Sequence, residues 1–158
     1  MWFRVGGAAF QEMGAEGRRG RLQALVEGSE RAPGVLAYLD GAPVGWCAVA
    51  PREEHARLLR SPVTKPASPE DNGVWSITCF YVTREGRGKG VAAALLNGAV
   101  SYAAEQGARV VEGYPKDTDK RLPAAELHYG WRSLFEDAGF VETARRRPTR
   151  PIMRLTLP

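Results

Sequence analysis

The stretch VTREGRGKGVA, residues 82–92, joins an apolar run at residues 74–82 to an amphipathic run at residues 91–104. The first run predicts a buried central strand, and the second predicts a helix that packs one face. A glycine-rich basic turn that opens a helix presents unpaired backbone N–H groups and the positive end of the helix dipole. The stretch therefore predicts an anion site, most naturally for phosphate, at residues 87–92.

Two common nucleotide motifs do not fit this turn. A Walker A loop needs Gly-Lys followed by Ser or Thr, whereas here Lys89 precedes Gly90 and Val91 follows. A Rossmann turn needs a third glycine where Val91 stands, and no acidic residue ends the next strand-like run at the usual distance. The phosphate prediction therefore requires another kind of loop.

The segments around the turn predict a mixed sheet. Residues 34–39 and 44–50 flank the Asp40-Gly41 turn and predict a hairpin. Residues 74–114 predict a strand, a helix and a strand, which together form a βαβ unit. A broken N-terminal helical region, best near residues 18–27, precedes the hairpin, and a short helix near 130–138 and late strands, the last at 152–157, follow the βαβ unit. The expected class is α/β (α+β) with helices on both faces of the sheet.

The composition is typical of a globular domain and predicts neither a membrane-spanning segment nor a metal site. The chain has 158 residues, a net charge of +4 and 44% hydrophobic residues, which predict one domain over residues 1–158. Cys47 and Cys79 lie in apolar runs without metal-ligand spacing and are expected to be buried thiols. No run is long enough to cross a membrane, and no signal peptide is visible, so a cytoplasmic location is expected. The arginines at 145–150 are interpreted as solvated, and neither nucleic acid nor a membrane is an expected partner.

The pattern Arg87-x-x-Gly90-x-Ala92, placed after a strand and opening a helix, resembles the pyrophosphate loop of the GNAT superfamily of acyl-CoA N-acyltransferases. The segment Leu134–Phe140 is similar to the LYxxxGF motif of the same superfamily, and the resemblance spans about residues 34–145. It implies a mixed, mostly antiparallel sheet and transfer of an acetyl group from acetyl-CoA to a primary amine. Relatives usually have a strand and two helices before the hairpin. Here either this region is shortened or a second copy of the chain, in a homodimer, completes it.

The resemblance also implies which residues bind the cofactor. Backbone N–H groups of the turn would hold the pyrophosphate, and pantetheine would pair with main chain at the end of the central strand. His128 is near the position of an asparagine that contacts pantetheine in relatives, with a surface position as the alternative. The expected set of cofactor-binding residues is Phe80, Tyr81, Val82, Arg87, Gly88, Lys89, Gly90, Val91, Ala92, His128 and Phe135.

The proton-transfer groups depart from the family pattern. Relatives carry a tyrosine acid where this chain has Phe135, and residues 76–79 of the central strand offer no carboxylate base. Glu112 is the replacement candidate for the base, and an ion pair with an arginine is its alternative. Tyr129 is the candidate for the acid, and packing under the last helix is its alternative. If neither acts, the chain is an acyl-CoA-binding sensor or scaffold without turnover.

The acceptor is a small-molecule or peptide amine whose identity the sequence does not give. Trp46, Ser76 and Thr78 are expected to line its site, with a core position as the alternative for Trp46. His55 is interpreted as a solvated helix residue. Cys79 is near the expected thioester, but nothing beside it lowers its pKa, so a covalent acyl-enzyme is not expected. RNA binding through residues 145–150 ranks below the enzyme.

Overall fold

The computed structural model describes residues 2–120 and 122–158 and contains one six-stranded sheet. The strands run in the order β1-β2-β3-β4-β6-β5, and within the described residues β3 and β4 form the one parallel pair. The mixed, mostly antiparallel sheet is therefore confirmed. The strands are β1 (Gly34–Leu39), β2 (Ala42–Pro51), β3 (Val74–Val82), β4 (Val110–Gly113), β5 (Val141–Arg147) and β6 (Arg150–Thr156).

The helices differ from expectation mainly at their ends. The N-terminal region does form two pieces, but the second is longer than expected, and neither contains a buried residue. The helix after the glycine-rich turn begins at residue 91, because Gly88 and Gly90 adopt left-handed backbone angles with φ of 70° and 74°. The helices are α1 (Gly7–Glu12), α2 (Gly14–Gly28), α3 (Ala56–Arg60), α4 (Val91–Glu105) and α5 (Arg132–Asp137), with 3-10 turns at Arg52–Glu54 and Ala124–Tyr129.

Strand β5 was not located from the sequence, although late strands were expected. Its sequence, VETARRR, is largely charged and exposed, as is typical of a strand at the edge of a sheet. Most residues of β5 are exposed and polar. The strand therefore lacks the apolar alternation that identifies a half-buried strand.

Helices cover both faces of the sheet. On one face, α4 and α5 bury a large apolar cluster that includes Leu96, Phe135 and Met153. On the other face, Leu58 of α3 packs with Phe3, Tyr114 and Ile152 in a smaller cluster. None of the helices in the described part of the chain combines the length and apolar character needed to cross a bilayer.

An irregularity in β3 sets the geometry of the site. Ala48 of β2 pairs with Cys79, whereas the next residue, Val49, pairs with Ile77, so Thr78 is an extra residue in the ladder. The alternation of side chains reverses at this point. Ile77 and Phe80 consequently both join the core under α4, while Thr78 and Cys79 both face the opposite side of the sheet.

Candidate functional site

A cleft of about 500 Å³ opens where β3 passes into α4. One wall is the end of β3 and the following turn, and the other wall is the segment around the 3-10 turn at Ala124–Tyr129. The lining is mostly apolar side chains and backbone. It consists of Phe80, Tyr81, Val82, Gly86, Arg87, Gly88, Gly90, Val91, Ala92, Leu127, His128, Gly130, Trp131 and Leu134.

The turn at one end of the cleft has the geometry of an anion cradle. The first backbone bond at the start of α4 is donated by Ala94 N to Gly90 O, at 3.0 Å. The N–H groups of residues 91–93 therefore precede the helical hydrogen bonds and are available to a ligand. A Cβ added at Gly88 or Gly90 would meet nothing within 4 Å, so the left-handed backbone, and not crowding, is what favours glycine there. Arg87 adds a positive charge to the lining.

The other feature of the cleft is the free edge of β3. Strand β4 pairs with β3 over Val74–Ile77, and β2 pairs with β3 as far as Val82. Within the described residues, the end of β3 therefore has a hydrogen-bonded strand on one side alone. An extended ligand with amide groups can pair with such an edge, as an added strand would.

A second, smaller cavity of about 90 Å³ lies on the other side of β3. It is closed by the N-terminal segment and by α2. Its lining residues are Trp2, Phe3, Arg4, Leu22, Pro33, Trp46, Ala48, His55, Thr78, Cys79 and His128. Among the described residues, His128 is the one that lines both this cavity and the cleft. The two spaces therefore meet at His128.

Most of the residues predicted to bind the cofactor lie together in the cleft, but two do not line it. Lys89 is exposed in the turn, outside the lining. Phe135 is fully buried and packs edge-to-face on Phe80 and Phe140, with ring centroids 6.0 and 5.1 Å away. A Cβ at Gly113 would lie 2.0 Å from the Phe135 ring, which shows how closely the ring approaches the β4 backbone. Phe135 therefore supports Phe80 from within the core.

Glu112 lies in a buried ionic network. Its Oε1 is 3.2 Å from Arg52 Nη1 and 3.3 Å from Arg154 Nε, and its Oε2 accepts a 2.8 Å hydrogen bond from the Tyr114 hydroxyl. Both Glu112 and Arg52 are almost completely buried. Neither cavity is lined by Glu112. These contacts support the ion-pair alternative, and a role as the base stays a prediction.

The same network anchors the loop at residues 61–73. Arg52 Nη2 donates to the carbonyl oxygens of Ser68 and Asp71, each at 3.1 Å, and Arg154 pairs with the Asp71 carboxylate. Ser76 Oγ lies 3.1 Å from the Tyr114 hydroxyl, which joins β3 to the network. Burial, followed by the negative charge of Glu112, raises the pKa of Tyr114. Tyr114 therefore stays protonated and acts as a hydrogen-bond donor.

Tyr129 lies beside the cleft and packs on the opposite face of the sheet. Its ring meets Phe3 edge-to-face at 6.0 Å and lies 3.8 Å from the Arg150 guanidinium carbon. Its centroid is 3.9 Å from the His128 ring. The packing alternative is supported by these contacts, and the acid role of Tyr129 stays a prediction.

The residues predicted for the acceptor divide between two environments. Trp46 and Thr78 line the second cavity, whereas Ser76 is fully buried in the network of Glu112. The interpretation of His55 as solvated is wrong, because only 1% of its surface is exposed and it lines the second cavity. Burial, followed by the positive charge of Arg4, lowers the pKa of His55 to about 3. His55 is therefore neutral at physiological pH.

The two thiols also differ. Cys47 is fully buried in the core, as expected, whereas Cys79 is partly buried and lines the second cavity. Burial raises the pKa of both cysteines, which keeps them protonated and weakly nucleophilic. That no acyl group is carried on Cys79 stays a prediction.

Several lining residues were not found from the sequence. The N-terminal residues Trp2, Phe3 and Arg4 line the second cavity, although the sequence assigned them no role. Trp131 and Leu127 line the cleft and leave large apolar surface exposed. The one available signal was the presence of large apolar side chains in polar loops.

A buried strand that opens into a glycine-rich turn and an α-helix, beside a cleft with an unpaired strand edge, is the arrangement of the acyl-CoA N-acyltransferases. The family model for the acetyltransferase (GNAT) family matches residues 8–130, so the chain belongs to this family. Its members transfer acetyl groups to small-molecule or peptide amines. A search of curated proteins finds no significant match.

Solved structures confirm the fold. A phosphinothricin acetyltransferase from Sinorhizobium meliloti, in complex with AcCoA, has a TM-score of 0.58 and 18% identity, over 90% of this chain and 70% of that one. A ribosomal-protein-alanine N-acetyltransferase from Brucella melitensis has a TM-score of 0.55 and 18% identity, over 90% and 78%. The PaiA N-acetyltransferase from Thermoplasma acidophilum, in complex with coenzyme A, has a TM-score of 0.54 and 11% identity, over 97% and 80%.

Proposed function

We propose that this acetyltransferase binds acetyl-CoA in the cleft and transfers the acetyl group directly to a primary amine in a ternary complex. The observation that carries the proposal is the continuity of the anion cradle at residues 88–92 with the free edge of β3, since both line one cleft. The cradle suits a pyrophosphate, and the strand edge suits the amides of pantetheine.

The chemistry requires two proton transfers. The acceptor nitrogen forms a bond to the thioester carbonyl carbon, the carbon–sulfur bond breaks, the nitrogen loses a proton and the thiolate gains one. A backbone N–H at the free edge of β3 is suited to polarise the carbonyl, as in an oxyanion hole. The second cavity is the acceptor site in this proposal, because it meets the cleft at His128.

His128 is our preferred group for the proton transfers. It lines both spaces, whereas Glu112 and Tyr129 line neither. A histidine at this junction can accept a proton from the amine and return it to the leaving thiolate. The predicted roles of Glu112 and Tyr129 become the competing assignments.

The first experiment is calorimetric titration of acetyl-CoA and of CoA. We expect binding by the intact protein and its loss in Gly90→Glu, which brings a negative charge and a side chain into the cradle. Gly107→Glu is the matched control, because Gly107 also has a left-handed backbone, φ 82°, at the other end of the same helix. Equal loss in both variants would indicate damage to the helix, and no binding by the intact protein would contradict the proposal.

The second experiment measures CoA release with a panel of amines. His128→Gln should lower kcat by about a hundredfold with little change in the affinity for acetyl-CoA. An unchanged kcat in this variant would remove His128 from the mechanism. Binding of acetyl-CoA without turnover of any amine would favour the alternative, an acyl-CoA sensor, for which the fully buried, non-donating Phe135 is the supporting observation.

A further inference from the structure

Arg4, one of the residues that line the second cavity, has a buried guanidinium nitrogen without a hydrogen-bond partner. Arg4 Nη1 is paired with the Glu54 carboxylate, and the Arg4 side chain is 12% exposed. Arg4 Nη2 is buried and makes no hydrogen bond. A buried donor of this kind is costly to leave unsatisfied, and the cost is larger for a charged group. The Arg4 side chain lines the cavity.

No acidic side chain among the described residues of the cavity lining is available to pair with Arg4. Among the described lining residues there is no Asp or Glu, and Arg4 is the one with a permanent charge. Glu54, the partner of Nη1, does not line the cavity and is partly exposed. His55 and the Cys79 thiol are uncharged, since burial lowers the pKa of His55 and raises that of Cys79. Arg4, which is paired with Glu54 through Nη1 and has an unused donor at Nη2, is therefore the charged group that a ligand in this cavity meets.

We infer that the acceptor is a small amine that also carries an acidic group, a carboxylate or a related oxoacid, which Arg4 Nη2 binds. This inference rests on the proposed function. The acidic group satisfies the unpaired donor through a charge-assisted hydrogen bond. The amine lies towards His128, where the cavity meets the cleft, because a second positive charge next to Arg4 would be repelled.

The size and lining of the cavity narrow the acceptor further. A volume of about 90 Å³ admits a compact molecule and excludes a folded peptide segment. Its walls include the rings of Trp2, Phe3 and Trp46, which suit the aliphatic carbon atoms between the amine and the acid. A polyamine has no group that could bind Arg4 Nη2, and its additional positive charges would be repelled.

The test compares matched acceptors in an assay of CoA release. Each set contains an amino acid, its amide and the amine that remains after removal of the carboxyl group, such as alanine, alaninamide and ethylamine. Further acids with longer spacing, such as β-alanine, and aminoalkyl phosphonates extend the panel. We expect the acidic member to exceed its amide and its amine in kcat/KM by at least about tenfold, mainly through a lower KM.

Variants assign the preference to Arg4. Arg4→Gln should remove most of the preference for the acid, and Arg4→Lys should retain part of it, while acetyl-CoA affinity measured by calorimetry stays unchanged. Arg57→Gln is the control. Arg57 stacks on Trp2 at 3.5 Å but does not line the cavity, so the loss of its charge should leave the preference intact.

The possible results separate this inference from the proposed function. Acetyl-CoA binding with equal or better turnover of amines that lack an acid would overturn the inference and leave the acetyltransferase proposal intact. A preference for the acid that survives Arg4→Gln would overturn the assignment to Arg4. Binding of acetyl-CoA without turnover of any acidic amine would also overturn the inference. Absence of acetyl-CoA binding would overturn the proposed function, and the inference with it.

Discussion

The two faces of β3 are built in different ways. On the α4 side, β3 contributes Trp75, Ile77 and Phe80 to an apolar core. On the other side, Ser76 joins the buried network of Glu112, and Thr78 lines the second cavity with His55. The first face is stabilised by burial of apolar surface, which is non-directional. The second face depends on specific partners, so a single change there can leave a buried charge or donor unsatisfied.

The comparison predicts that the largest loss of stability comes from a substitution on the second face of β3, which carries the network of Glu112 and is called the ionic face below. Glu112→Ala leaves the buried Arg52 guanidinium without its carboxylate and should lower the free energy of unfolding by about 4 kcal/mol. Chemical denaturation measures the loss. Glu136→Ala in the exposed Arg132–Glu136 pair is the control and should leave the midpoint nearly unchanged.

The same position tests the role of Glu112 as a base. Glu112→Gln keeps the size of the side chain but removes its charge. If Glu112 is structural, the variant loses stability, but kcat per folded molecule stays within a few fold of the wild-type value. A loss of kcat by about a hundredfold, with a native midpoint, would restore Glu112 as the base and contradict the assignment to the network.

On the α4 side of the sheet, truncation of a buried apolar side chain should lower the free energy of unfolding slightly less than Glu112→Ala does. Leu96 is fully buried under α4, and Leu96→Ala should lower the free energy of unfolding by about 3 kcal/mol through lost burial and a residual cavity. Asn97→Ala, one residue further on the exposed side of α4, is the control. A loss from Leu96→Ala no larger than that of the control would mean that α4 does not hold the core as described.

His55 gives the ionic face a dependence on pH. Its pKa is about 3 in the folded protein and about 6.5 in the unfolded chain, so the unfolded state binds a proton first as the pH falls. Its contribution to stability is therefore present above pH 6.5 and is lost progressively towards pH 3. Between pH 7.5 and pH 5.0 the loss should be about 2 kcal/mol.

The measurement is denaturation at both pH values for the wild type and for His55→Gln. The variant cannot take up the proton. Its loss of stability between pH 7.5 and pH 5.0 should therefore be about 2 kcal/mol smaller than that of the wild type. Equal losses in the two proteins would show that His55 is accessible to protons when folded, in conflict with its burial.

The turn and the second cavity differ in how far the sequence could predict them. The cradle at residues 88–92 is local, because glycine spacing, the preceding strand and the following helix are all read from one stretch. The second cavity unites Arg4, Trp46, His55 and Thr78, which lie far apart in the chain. Trp46 and Thr78 were expected at one acceptor site, but no periodicity adds Arg4 or His55 to them, and the polar neighbours of His55 gave no sign that it is buried.

Glu112 illustrates an intermediate case. A carboxylate inside the apolar run of β4 must have a partner, and this requirement follows from the cost of burying a charge. Which arginine supplies the partner depends on the register of β4 with β6, where Glu112 lies opposite Arg154, and on the position of Arg52 after β2. The sequence thus predicted the need for a partner, and the fold supplies its identity.

The smallest effect is expected at Tyr129, which packs on the side of the sheet opposite α4 and adjoins His128. Tyr129→Phe retains the ring contacts with Phe3 and Arg150 and removes the hydroxyl alone. If His128 performs the proton transfers, kcat should change by no more than about threefold, in contrast to the hundredfold loss in His128→Gln. If the hydroxyl is instead the acid, Tyr129→Phe should show the hundredfold loss. The pair of variants therefore decides which of two adjacent side chains handles the proton, while acetyl-CoA affinity serves as the common check that the cleft is intact.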